Sequence, residues 1–121
     1  MRVKNYRELI VWQKSMAAAK ETYSLSDKLP KEEIFSLSNQ MRRAAVSIPS
    51  NIAEGYGRGS DAEFARYLRI SHGSLSELET QLLLCKEIGY LKEYEIEPTL
   101  NILQEIGKMI NSLLAKTKTE V

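Results

Sequence analysis

Apolar residues recur along this chain at alternating steps of three and four, the spacing of helices with one buried face, and short polar breaks divide them into four runs. The first run, Leu9, Trp12, Met16, Ala19 and Tyr23, follows Asn5 and Glu8, a capping-box-like pair. It predicts a helix over about 6–26, with Asp27 and Pro30 marking the turn after it. Pro30 suits a helix start, where its missing amide is harmless, and Glu32 and Glu33 complement the positive end of the helix dipole. Ile34, Leu37, Met41, Ala44, Ile48, Ile52 and Tyr56 then keep one phase straight through Pro49. That continuity predicts a single helix over about 31–56, bent where the proline ring meets the Ala45 carbonyl and removes one ladder bond. Ala44, Ala45, Ser47, Ser50 and Ala53 are small, so a neighbouring backbone can come close, and Ser47, Ser50 or Asn51 can bond the freed carbonyl.

Gly55, Gly57 and Gly59 end the second helix, and Ser60 with Glu63 makes a capping box for the third. Phe64, Leu68, Ser71, Leu75, Leu78, Leu82 and Cys85 form its seam over about 61–88, closed by Gly89, with Ser71 the one polar position. Tyr67, Ile70 and Leu84 fall off this seam and predict a second apolar side. Ile96, Leu100, Leu103, Ile106, Ile110, Leu113 and Leu114 build a fourth helix over about 95–116, with Pro98 in its first turn and a frayed end from Lys116 to Val121. Four amphipathic helices with short connections predict an all-α, antiparallel up-down-up-down four-helix bundle, a single domain over residues 1–121.

Composition narrows the class without changing the architecture. A chain of 121 residues with 43% hydrophobic and 27% charged residues is globular and can bury a core without disulfides or metal. No apolar run approaches the roughly 20 residues of a membrane span, and MRVKNYRELIVWQ lacks a signal-peptide cleavage site, so the expected compartment is the cytoplasm, with no membrane partner. The net charge of +1 argues against a polyanion-binding surface spread over the whole molecule. Its distribution is uneven: Arg2, Lys4, Arg7, Lys14 and Lys20 face only Glu8 in the first twenty residues, while acids exceed bases between 61 and 89.

Candidate chemistry is sparse. Lone Cys85 sits among leucines and reads as a small core residue rather than a reactive thiol. Trp12 can stack on a base, but its place in a seam favours core packing. GYGRG precedes a helix N-terminus like half of a phosphate loop. It has no preceding strand and no P-loop lysine, however, and Asp61 and Glu63 occupy that first turn, so it reads as a helix-to-helix turn. A di-iron bundle needs Glu-x-x-His pairs, whereas the only histidine, His72, has Arg69 three residues before it. His72 reads as a satisfied polar residue at a helix contact. With one histidine and no identifiable orienting acid, no triad can be assembled. The chain is expected to be no enzyme and to hold no catalytic residue, metal or cofactor.

YRELIVWQKSM, LPKEEIFSLSNQMRRAAVSIPSNIAEGYGR and EFARYLRISHGSLSELETQLLLCKEIGYL together resemble the four-helix bundle proteins encoded in intervening sequences of 23S ribosomal RNA genes. The likeness runs from about Tyr6 to the last helix, and RRAAVSIPSNIAEG with GSLSELET carries most of it; Ser50 stands where a typical member, similar through IPANIAEG, has alanine. It implies a left-handed bundle assembled as a ring-shaped homopentamer. The family also resembles the accessory variability determinant of diversity-generating retroelements, whose basic pentameric barrel binds nucleic acid and a reverse transcriptase. The resemblance therefore implies a non-catalytic accessory associated with RNA or DNA, with a reverse transcriptase as a further partner by analogy. The residues that can contact nucleic acid are Arg42, Arg43, Arg58, Arg66 and Arg69. Pro49, Asn51, Glu54 and Gly55 read as structural. Arg42 and Arg43 point about 100° apart, so only one can serve a given surface. Their alternative role is ion pairing with acids such as Glu54, Glu77 or Glu79. The alternative for the molecule is a scaffold whose second apolar face serves only self-association or a protein partner.

Overall fold

In the computed structural model of the chain, residues 4–120 are described; Arg2, counted among the basic residues of the first twenty, and Val121, last of the stretch expected to fray, lie outside them. Four long helices follow one another, α1 (Ile10–Ser26), α2 (Leu37–Gly57), α3 (Asp61–Ile88) and α4 (Glu93–Glu120), and no strand occurs among the described residues. Each helix packs on its neighbours in sequence and α1 closes on α4, while the backbones of α1 and α3, and of α2 and α4, stand farther apart across the diagonals. This is a four-helix bundle with α1 and α3 at opposite corners.

The core runs along the axis. Met41, Ile48 and Ile52 of α2 meet Leu68, Leu78 and Leu82 of α3 and Ile96, Leu103, Ile106 and Ile110 of α4, all fully buried. Each such side chain contributes roughly 1.5–3 kcal/mol by leaving water. The expected seam of α3 is buried throughout, Ser71 included. Cys85 lies in the same core, its sulfur 3.7 Å from that of Met41, and burial pushes its thiol up to about 11.

In α1 the expected seam is displaced. Met16 and Tyr23 are 47% and 44% exposed, and the buried positions are Val11, Ser15, Ala18, Thr22, Leu25 and Ser26. The buried hydroxyls are satisfied within the helix, Ser15 donating to the Val11 carbonyl at 2.7 Å and Thr22 to the Ala18 carbonyl at 2.8 Å. Polar residues can therefore hold core positions, and no hydrophobic count reveals them. Trp12 is half-buried against the core and meets Tyr6 edge-on at 5.3 Å. The helix also starts later than expected. Asn5 accepts from the Arg7 amide at 2.9 Å, but this caps a single 3₁₀ turn, Tyr6–Glu8, and Leu9 is extended before α1 begins.

The start of α2 departs from expectation too. Residues 31–33 form one 3₁₀ turn, Ile34 is exposed, and the α-helix begins only at Leu37. Glu33 explains the break. Its carboxylate takes the Ser36 hydroxyl at 2.6 Å and the Leu37 amide at 3.3 Å, acting as the cap of α2. Tyr90, beyond the end of α3, donates to the same carboxylate at 2.8 Å. Past that point the helix is continuous through Pro49. Asn51 bonds the Ser47 carbonyl at 2.8 Å rather than that of Ala45, Ser47 meets Ser74 at 2.8 Å, and Ser71 donates to the Ile48 carbonyl at 2.9 Å.

Small residues bring α2 and α3 together. A Cβ placed on Gly55 would lie 2.5 Å from the Cβ of Tyr67, so only glycine permits this approach. Ser60 caps α3 by accepting the Glu63 amide at 3.2 Å, and Gly89, at φ 97°, ends it with its amide on the Cys85 and Lys86 carbonyls. The fourth helix begins at Glu93, earlier than expected, so Pro98 falls in its second turn; Pro98 and Tyr94 are both exposed there, where water can take the orphaned Tyr94 carbonyl. The helix continues past Lys116 to Glu120 instead of fraying.

Candidate functional site

The five arginines do not form one patch. Arg42 turns toward α1, its guanidinium 2.6 Å from Asp27, 2.8 Å from the Ser26 hydroxyl and 5.1 Å from the centre of the Tyr23 ring. Its partner is thus an acid at the exit of α1, not Glu54, Glu77 or Glu79. Arg43, one residue on, faces the other way into a polar groove between α2 and α3. This groove, of about 750 Å³, is lined by Phe35, Asn39, Gln40, Arg43, Ser47, Ser74 and Glu77. Among the described residues Arg43 makes no ion pair, and Phe35 stands 93% exposed at the rim.

Arg58 and Arg66 meet at Tyr67. Their guanidiniums lie 5.3 and 4.6 Å from the centre of its ring. Arg58 reaches from the end of α2 to bond Glu54 and the Tyr67 hydroxyl, both at 2.9 Å. Arg66 grips Glu63 through two nitrogens at 3.1 and 3.3 Å. The hydrogen bonds to Glu54 and Glu63 raise the two guanidiniums further above their ordinary value, and Arg66 holds the Glu63 carboxyl below its own. Arg58 and Glu54 thus clasp the end of α2 onto Tyr67 of α3, while the Glu63–Arg66 pair lies within α3 and sets a second guanidinium on the same ring. Since the same hairpin needs Gly55 beneath Tyr67, Glu54 and Gly55 act together in this clasp. Arg69, one turn further along α3, is exposed and unpaired among the described residues.

One constellation escaped the reading of the sequence. His72, Ser76 and Glu79 stand on one face of α3 and line a cleft of about 260 Å³ with Gln104, Lys108 and Asn111 of α4. Burial raises the Glu79 carboxyl above the usual range and nearby His72 partly opposes this. His72 does lie at a helix contact, yet no hydrogen bond satisfies it among the described residues. The signal was legible as spacing, since residues 72, 76 and 79 share a helix face. Among the described residues no three His, Cys, Asp or Glu side chains gather where they could hold a metal ion. No helix there is long and apolar enough to cross a membrane.

Fold and surface define the class: a four-helix bundle whose α2–α3 hairpin is tightened at Gly55 and clasped by Arg58 on Tyr67, with one unpaired arginine in the groove alongside. Residues 7–112 match the family of the 23S rRNA-intervening sequence protein, and the chain belongs to that family. It is similar to a protein of unknown function from the S23 ribosomal protein family of Bacteroides thetaiotaomicron, at 29% identity and a TM-score of 0.80, over 87% of this chain and 98% of that one. None of the curated proteins matches the chain.

Proposed function

We propose that this chain is a non-catalytic, self-associating accessory protein that contacts RNA or DNA through the α2–α3 groove. The observation that carries the reading is Arg43, a cation without an ionic partner among the described residues, in a groove that also offers the side-chain amides of Asn39 and Gln40 beside the Glu77 carboxylate, the Ser47 and Ser74 hydroxyls there being bonded to each other. Such a set suits a phosphate beside an unstacked base edge. A near-neutral chain binds a polyanion weakly at one such point, but a ring of copies repeats the groove and gains by multivalency. The resemblance to ring-shaped pentamers supports that arrangement; light scattering should then give roughly five times the chain mass of 13.8 kDa.

The test is a titration with structured RNA at low and moderate salt. Affinity should weaken as salt rises, and Arg43→Gln should weaken binding and lower the salt slope by about one for each phosphate no longer neutralised. Absence of binding, or binding indifferent to salt, sinks the nucleic-acid reading. What then stands is the scaffold, favoured by the exposed Met16, Tyr23, Ile70 and Leu84.

A further inference from the structure

The cleft between α3 and α4 lies away from the groove proposed for RNA and has a different chemistry. Its middle is fixed by Leu75 and Gly107, since a Cβ on Gly107 would lie 4.0 Å from the Leu75 Cδ1. These residues stand about equally far before and after the turn that joins the helices, so α3 and α4 run antiparallel there. Stepping along each helix from that level places Glu79 opposite Gln104, Ser76 opposite Lys108 and His72 opposite Asn111, each level about one helical turn of 5.4 Å from the next. Leu75 and Leu103, both buried, form the apolar floor beside Gly107.

Gly107 is buried in the middle of a 28-residue helix, where a glycine weakens the helix relative to alanine. An alanine Cβ would meet Leu75 only at ordinary contact distance, so packing within the chain does not call for the glycine. What the missing side chain leaves is an open floor. The charged groups above that floor lack partners. Lys14 pairs with Glu105 and Lys28 with Glu95 elsewhere on α4, yet among the described residues neither Glu79 nor Lys108 makes an ion pair, with each other or with any other group. The side chains of His72, Gln104 and Asn111 make no hydrogen bond there either. Glu79 is half-buried, and of the charges around it only His72 opposes the effect of that burial on its carboxyl. Opposite charges thus share one cleft without meeting, and a partly desolvated carboxylate gains from a cation brought to it.

We infer that this cleft binds a free α-amino acid with a hydrogen-bonding side chain. Its ammonium bonds Glu79 and the side-chain carbonyl of Gln104, its carboxylate bonds Lys108 and the Ser76 hydroxyl, and its side chain reaches the level of His72 and Asn111. A zwitterion meets both charges at once. A ligand of one sign does not, since a polyamine would face Lys108 and a phosphate would face Glu79. The volume, about 260 Å³, falls just below the roughly 300–1,000 Å³ of sites for drug-sized molecules, which suits a single amino acid and leaves out a nucleotide.

The test is a titration of the full chain with the standard L-amino acids, one at a time, followed through the backbone amide signals of α3 and α4 by nuclear magnetic resonance. Those with amide or carboxyl side chains should bind saturably at millimolar concentration or below, with the shifts centred on Gly107. For L-glutamine, masking the ammonium as N-acetyl-L-glutamine or the carboxylate as the methyl ester should each weaken binding about tenfold. Glu79→Gln should erase the preference for the free ammonium and Lys108→Met that for the free carboxylate. Neither change should move the melting temperature, because neither side chain has a partner in the fold. Gly107→Ala should melt higher and bind more weakly, as the added methyl narrows the floor. A parent chain that binds none of the amino acids overturns the site. Binding whose preferences survive both charge variants overturns it too, and L-leucine bound as tightly as L-glutamine overturns the role of His72 and Asn111. None of these results bears on RNA at Arg43.

Discussion

Gln81 is buried in α3, and its side-chain carbonyl oxygen has no hydrogen-bond partner among the described residues. A buried acceptor left unbonded loses its hydration without compensation, so Gln81→Met should stabilise the chain by about 1 kcal/mol. The check is a rise in the urea midpoint with an unchanged slope. The other buried polar groups are better served. Thr99 bonds Glu21 at 3.0 Å, and Ser71 uses an α2 carbonyl. At this scale the sequence was an uneven guide. The inertness of Cys85 was legible because it follows Leu82, Leu83 and Leu84 and falls on the seam of its helix. The division of the arginines was not, because whether a guanidinium finds Asp27, Glu54 or open groove depends on which neighbouring helix lies within its reach. Periodicity within one helix carries no such information.

Among the elements, the α2–α3 hairpin is the most tightly defined. Gly55→Ala would drive a Cβ into the Cβ of Tyr67, an atom fixed to the backbone that cannot swing aside. The two helices must separate, at an expected loss of about 1–3 kcal/mol, measurable as a lower melting temperature. Helix α3 was legible almost in full because leucines fill its seam and Ser60 and Gly89 mark its ends. Helix α1 was legible as a helix but misread by one position, because Ser15, Ala18 and Thr22 carry the burial and leave the larger Met16 and Tyr23 outside. The late start of α2 depends on a cap drawn from Glu33 and braced by Tyr90, fifty-seven residues away along the chain. No local pattern of residues announces a contact of that kind.

For the molecule as a whole, carboxylates at helix ends set the response to acid. Glu33 is held below the ordinary value of 4.5 by the Ser36 and Tyr90 hydroxyls and the Leu37 amide, Glu63 by Arg66, and Glu95 by Lys28 and the Lys92 amide. A carboxyl whose folded value is depressed adds stability that is fully present above its unfolded value and is lost as pH falls through the folded one. Stability should therefore decline below about pH 4.5, and Glu33→Gln should flatten part of that decline while lowering the plateau above it, as followed by helical circular dichroism in urea at a series of pH values. The same carboxylates tie the ends of the bundle together. Lys28 at the end of α1 meets Glu95 in α4 at 2.8 Å, and the Glu33 cap joins α2 to the turn after α3.

The hydroxyls buried in α1 have one more consequence. Ser15 and Thr22 each bond a carbonyl of their own helix, so if α1 were to lift from its neighbours it would strand none of these groups and keep both bonds. The side chains it would expose are mostly small, whereas withdrawing α2 or α4 would wet several isoleucines and leucines. Helix α1 is thus held less by bulk than by its polar ties, Ser26 and Asp27 to Arg42 and Glu21 to the buried Thr99, and losing it would strand the Thr99 hydroxyl. Lys14 adds a further tie, to Glu105 of α4 at 3.2 Å, so charge and hydrogen bonding rather than apolar burial decide how firmly this corner of the bundle is closed.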